Sequence, residues 1–150
     1  MLSDSVLYQF VNKNNTTLVL SCIDYRLIDD TMKFLESACY TKSFDFTTLA
    51  GASLGFNQNK YKCWRETFLQ HVDLAINLHK INKIIVIDHM DCGAYKLFYP
   101  NMKSNSEEER LLHIKNIKIF VDKLRNIFPQ LEYDAYIIDL AGKVDKIDIN

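Results

Sequence analysis

Thr17-Leu18-Val19-Leu20, running into Ser21-Cys22-Ile23-Asp24-Tyr25-Arg26, and Ile84-Ile85-Val86-Ile87, running into Asp88-His89-Met90-Asp91-Cys92-Gly93, decide how this chain is read. Each apolar run is short, rich in β-branched residues and free of charge, as expected of a strand buried on both faces. In a parallel α/β sheet, ligands gather where strands end at their carboxyl edge, so both clusters are expected to face one crevice. Cys22, His89 and Cys92 would then bring two thiols and an imidazole together. That ligand set suits zinc and leaves a fourth position open. Asp24 and Arg26 stand beside the open position, the layout of a hydrolytic rather than a structural zinc site.

Outward from these strands, the periodicity predicts alternating elements. A helix over about 28–38 carries Met32, Leu35 and Cys39 on one face, and a strand over 44–49 closes into Ala50-Gly51-Ala52-Ser53-Leu54-Gly55. A long helix over 61–79 places Phe68, Val72, Ala75, Ile76 and Leu78 at helical spacing. Ser106 reads as an N-cap with Glu107, Glu108 and Glu109 as negative charge on the first turn. Leu111, Ile114, Ile117, Val121 and Leu124 continue that helix toward Pro129. A strand over 135–140 is expected next, and Gly142 turns the chain into 144–149. Near the start, Ser3-Asp4-Ser5 caps a short helical arm within 1–15, with Val6, Leu7, Phe10 and Val11 on one side. The expectation is an α/β fold, three-layer α/β/α, with a mostly parallel central sheet of four to five strands and one domain over residues 1–150.

Composition narrows the function. The chain has 150 residues, 25% of them charged, and a formal charge of −1. That balance offers no electrostatic reason to expect nucleic acid or an anionic membrane as partner. The first residues lack the basic and apolar stretches of a signal peptide, and no apolar run approaches the roughly 20 residues that cross a bilayer. The four cysteines, at 22, 39, 63 and 92, are therefore expected as reduced thiols in a cytoplasmic protein.

Singly, Cys22 would be a small core hydrophobe and His89 an ordinary hydrogen-bonded histidine. The His-x-x-Cys spacing, which lets one turn present two ligands to one ion, makes the trio specific. Cys39 and Cys63 have no partners at such spacing and are expected in the core. Arg26 offers a rigid fork that can hold the Asp24 carboxylate in one orientation, where it could accept the hydrogen of a zinc-bound hydroxide. Two thiolates and a neutral imidazole cancel the charge of zinc, so its water should be less acidic than on three histidines, with activity rising above neutral pH. His71, His79 and His113 are expected in solvent-facing or ordinary polar roles, Trp64 and Phe68 in packing, and Glu107 to Glu109 as helix-start charge. The segment from Gly51 to Gly55 lacks the Lys-Ser/Thr ending of a P-loop and the glycine pattern of a dinucleotide fingerprint.

Cys22-Ile23-Asp24-Tyr25-Arg26 followed by His89-Met90-Asp91-Cys92-Gly93 resembles the β-class carbonic anhydrases. Ala50-Gly51 falls at that family's Ala-Gly turn, and Tyr136 to Leu140 with Gly142-Lys143-Val144 is similar to its closing strand. The resemblance implies Cys22, His89 and Cys92 as zinc ligands and Asp24 with Arg26 as the catalytic pair. It also implies reversible hydration of carbon dioxide to bicarbonate, and a homodimer or higher homo-oligomer. Two positions differ from the family pattern: Asp88 stands where Gly is common, and Leu49 stands where Asn is. The short segment after the His-x-x-Cys turn resembles the compact branch, which is also similar to carbonyl sulfide hydrolases. A non-catalytic zinc protein is the reading of another class.

Overall fold

The computed structural model describes residues 16–38 and 43–150; the expected helical arm over 1–15 and Cys39 lie outside them. The apolar run Thr17–Ser21 forms β1 and Lys83–His89 forms β3, paired in parallel with Thr17 opposite Lys83 and Ser21 opposite Ile87. Phe44–Thr48 (β2) pairs with the other edge of β1, and Glu132–Ile138 (β4) lies against β3, both in parallel. Val144–Lys146 (β5) returns antiparallel along β4, so the sheet runs β2-β1-β3-β4-β5. Chain order reverses between β1 and β3, which is where a doubly wound sheet opens its crevice.

Side-chain alternation divides the core into two layers. Leu18, Leu20, Ile84, Val86, Ala135 and Ile137 face one side and pack beneath the helices Ser53–Asn57 (α2), Lys62–His79 (α3) and Glu107–Ile127 (α5). Val19, Ile85, Ile87 and Ile138 face the other side, covered by Leu27 and by Leu35 of the helix Ile28–Ser37 (α1). This is the expected α/β/α layering with a mostly parallel sheet, here of five strands. On the larger face, Phe56, Phe68 and Phe120 meet edge to face or tilted, with ring centroids between 4.9 and 5.8 Å apart.

Several local expectations need correcting. The last long strand begins at Glu132 rather than 135, because its polar start still pairs with Lys83 and Ile84 of β3. Leu78 and Leu111 are exposed, on the flanks of their helices. Cys63 is also exposed. It stands roughly two and a half turns from Val72, and so on the opposite side of α3 from the buried Phe68 and Val72. The segment after β2 is not only a turn. Gly51 takes a left-handed φ of 77°, Ala52 one of 42°, and the chain then forms α2, buried from Ser53 to Phe56.

Gly55 is what lets α2 sit there. A Cβ at Gly55 would come within 2.6 Å of the Ala50 carbonyl oxygen, a backbone atom with little room to yield. A Cβ at Gly93 meets nothing within 4 Å. Gly55→Ala is therefore expected to cost about 1–3 kcal/mol in urea unfolding. Gly93→Ala should cost less, and equal losses at the two positions would contradict a steric role for Gly55.

Candidate metal centre

Cys22 leaves the end of β1, His89 ends β3, and Cys92 caps the start of the helix Gly93–Phe98 (α4). All three side chains are buried, and their ligand atoms lie within 4.8 Å of one another. The two sulfurs are 4.0 Å apart. Two thiolates on one tetrahedral zinc, at about 2.3 Å each, would be separated by about 3.8 Å. His89 is oriented by its own backbone neighbour: Nδ1 lies 2.9 Å from the Met90 carbonyl and donates to it. The other ring nitrogen, Nε2, is the ligand atom grouped with the two sulfurs, and it is buried without a hydrogen-bond partner. A buried nitrogen seldom goes unsatisfied, and the donor set around this one fits a zinc ion.

Electrostatics favour metal uptake. The Cys22 thiol is lowered to about 4 by the hydrogen bond from the Cys92 thiol, against its burial, with further help from His89 and the Gly51 N–H. That N–H donates to the Cys22 sulfur over 3.3 Å. Cys92, as the donor of the pair, is pushed up by the same bond. The two thiols share one proton, which an incoming cation would displace.

Asp24 and Arg26 meet on the rim. Arg26 Nε and Nη2 donate to the Asp24 carboxylate at 3.0 and 2.8 Å, and the Arg26 backbone N–H adds a third bond. These bonds hold the Asp24 carboxyl at about 2. Asp24 Oδ2 also lies 3.7 Å from the orphaned His89 Nε2. Above the site opens a cavity of about 680 Å³, walled by Ile23, Ala94, Leu97, Phe98 and the stacked rings of Tyr61 and Trp64. Trp64 thus lines the cavity, whereas Phe68 packs in the core.

Behind the metal loop lies a polar cluster that the sequence did not lead us to expect. Glu109 is fully buried, and its carboxylate accepts the backbone N–H groups of Asp91, Cys92 and Asn105. Asp88, also buried, accepts from the Ser53 hydroxyl at 2.7 Å, the Tyr95 hydroxyl at 2.8 Å and His113 Nδ1 at 2.9 Å. His113 sits between the two carboxylates and is raised by them against its own burial. It is not solvent-facing, and Glu109 is more than helix-start charge. The signal was present, because Glu109, His113 and Asn116 fall on the same α5 stripe as Ile117, Phe120 and Leu124. His79, by contrast, is half exposed and pairs with Asp45.

The fold and site define a doubly wound α/β protein with a Cys-His-Cys trio at its switch point. The family profile described as "Putative carbonic anhydrase" matches residues 12–148. The chain belongs to that family, as a divergent member of the β class. Similar sequences include uncharacterized proteins of Rickettsia conorii and Rickettsia bellii. Each is 35% identical over 133 residues, which cover 88% of this chain and 72% and 81% of theirs. The β-carbonic anhydrase CafA of Aspergillus fumigatus superposes with a TM-score of 0.62 at 14% identity, over 92% of this chain and 77% of its own. A tetrameric β-carbonic anhydrase of Sordaria macrospora gives 0.63 at 11% identity, over 89% and 81%. At these identities the likeness to the solved structures is one of fold.

Burial raises the Glu109 carboxyl, but His113 and the three backbone N–H groups outweigh it and bring it from 4.5 to about 2. A carboxyl lowered on folding stabilises the protein fully above its unfolded value and loses that contribution as pH falls toward the folded one. Urea stability is therefore expected to drop by about 3 kcal/mol from this group as pH falls from 4.5 toward 2. In Glu109→Gln that component should be missing and stability at neutral pH lower; an unchanged acid limb would contradict the assignment.

Proposed function

We propose that this chain catalyses the reversible hydration of carbon dioxide to bicarbonate as a zinc lyase, acting as one β-carbonic-anhydrase-like domain over residues 1–150. Cys22, His89 and Cys92 hold the metal, and Asp24 and Arg26 are the catalytic residues. The observation that carries the reading is the buried His89 Nε2, without a hydrogen-bond partner and with the Asp24 carboxylate 3.7 Å away. Zinc held by Cys22, His89 and Cys92 would supply an acidified water as the nucleophile.

The protein supplies orientation and exclusion. With its carboxyl held at about 2, Asp24 is ionised throughout the working range and is too weak a base to take a proton near neutrality. Its role is to accept a hydrogen bond from the nucleophile and so aim the lone pair. Arg26 keeps that carboxylate charged and pointed. The cavity walls formed by Ile23, Leu97, Phe98 and Trp64 offer an uncharged substrate a surface that does not compete for water. The same walls suit carbonyl sulfide, another uncharged linear molecule, and hydrolysis of it is the second reading.

Cys22, Cys63 and Cys92 are free thiols, which accords with the cytoplasmic localisation proposed here. Among the described residues, no helix is long and apolar enough to cross a membrane. Ile23, Tyr25 and Leu97, exposed around the cavity mouth, provide an apolar face for the proposed homodimer or higher homo-oligomer. Light scattering should give at least twice the mass of one chain, and a monomer at micromolar concentration would refute the self-association.

Stopped-flow carbon dioxide hydration tests the main reading, with zinc-loaded and metal-stripped protein compared across neutral to alkaline pH. Zinc-dependent turnover that rises with pH is expected, and Asp24→Asn should lower kcat by about 100-fold while zinc content stays unchanged. Sulfide release from carbonyl sulfide without carbon dioxide turnover would favour the second reading. Inactivity toward both with zinc bound would leave a non-catalytic zinc protein.

A further inference from the structure

Asp24 occupies only one edge of the Arg26 guanidinium. On the other edge, Nη1 donates to Asp91 Oδ2 and Nη2 to the Asp91 backbone carbonyl, both at 3.0 Å. Asp91 belongs to a different segment, the turn between His89 and Cys92. Its position is set from three directions: its backbone is left-handed at φ 58°, its N–H donates to buried Glu109, and Lys96 holds its second carboxylate oxygen. Arg26, by contrast, is 37% exposed, and its bond to Asp24 is local, two residues away. An exposed ion pair of that kind restrains a long side chain weakly by itself.

We propose that Asp91 is a positioning residue for the Asp24–Arg26 pair: holding the far edge of the guanidinium, it fixes the edge presented to Asp24. The Asp24 carboxylate is thereby kept on Arg26 instead of turning toward His89 Nε2. Asp91 also ties the pair to the metal loop, because the residue gripping Arg26 lies between two candidate ligands. The catalytic consequence rests on the carbonic anhydrase reading, whereas the restraint on Arg26 does not.

Asp91→Asn and Asp91→Gly test this, since both residues tolerate the left-handed backbone. The first readout is independent of activity. In 1H–15N spectra of the zinc-loaded protein, with Arg26→Lys to assign the signal, wild-type Arg26 should show slow rotation with separate Nη resonances. In Asp91→Gly these should merge. An Arg26 held as firmly in that variant as in the wild type would overturn the proposal.

The second readout is kinetic. Asp91→Gly should lower kcat by about 10- to 100-fold, with KM little changed and Asp91→Asn intermediate. In an Asp24→Asn background the same substitution should cost almost nothing more, because a residue acting through Asp24 has nothing left to position. An equal loss in both backgrounds, or loss of zinc from both Asp91 variants, would assign Asp91 to the loop alone and overturn the proposal. If the wild type is inactive toward carbon dioxide, the proposed function fails by that result, and the guanidinium spectra still decide the restraint.

Discussion

Asp88 and Glu109 are carboxylates that water does not reach, and the loop and helices behind the candidate metal centre supply the donors that satisfy them. An unpaired buried charge costs several kcal/mol, so each must find donors within the protein. Glu109 finds them in the backbone of the loop that carries Cys92. Asp88 finds them in Ser53 of α2 and Tyr95 of α4. His113 joins the two from α5. The cluster therefore cross-links three helices to the loop after β3. Removing one member takes a donor or acceptor from its buried neighbours, so the energies of the group are coupled and not additive.

The layered fold was legible because its strands announce themselves twice. Short β-branched runs such as Ile84–Ile87 read as doubly covered strands by their length and composition, and the helical spacing between them completes a parallel sheet. The convergence of Cys22, His89 and Cys92 was legible for the same reason, since the switch point of such a sheet collects the residues at the carboxyl ends of β1 and β3. Features that stayed hidden depended on contacts distant in sequence. A carboxylate at the start of a helix is ordinarily solvated, and nothing near Glu109 in the chain tells that the Cys92 loop lies on top of it. The brief helix α2 was missed because Gly55 looks like a turn residue until the Ala50 carbonyl is found packed against it. Cys63 was misplaced by treating an unpartnered thiol as apolar, without asking which side of α3 it occupies.

On the carbonic anhydrase reading, the distribution of polarity in the cavity separates substrate from product. Carbon dioxide carries no charge and asks for no hydrogen bond, so apolar walls can host it at little cost in desolvation. Bicarbonate is an anion, and the cation lining the cavity that it could seek is Arg26. All but one of the Arg26 N–H groups are already engaged, Nε and Nη2 by Asp24 and Nη1 and Nη2 by Asp91. Two carboxylates therefore screen the product from the guanidinium at the site's mouth. An arginine left free there would bind the anion and slow its release. Arg26, committed to two carboxylates, serves geometry and leaves the product little reason to stay.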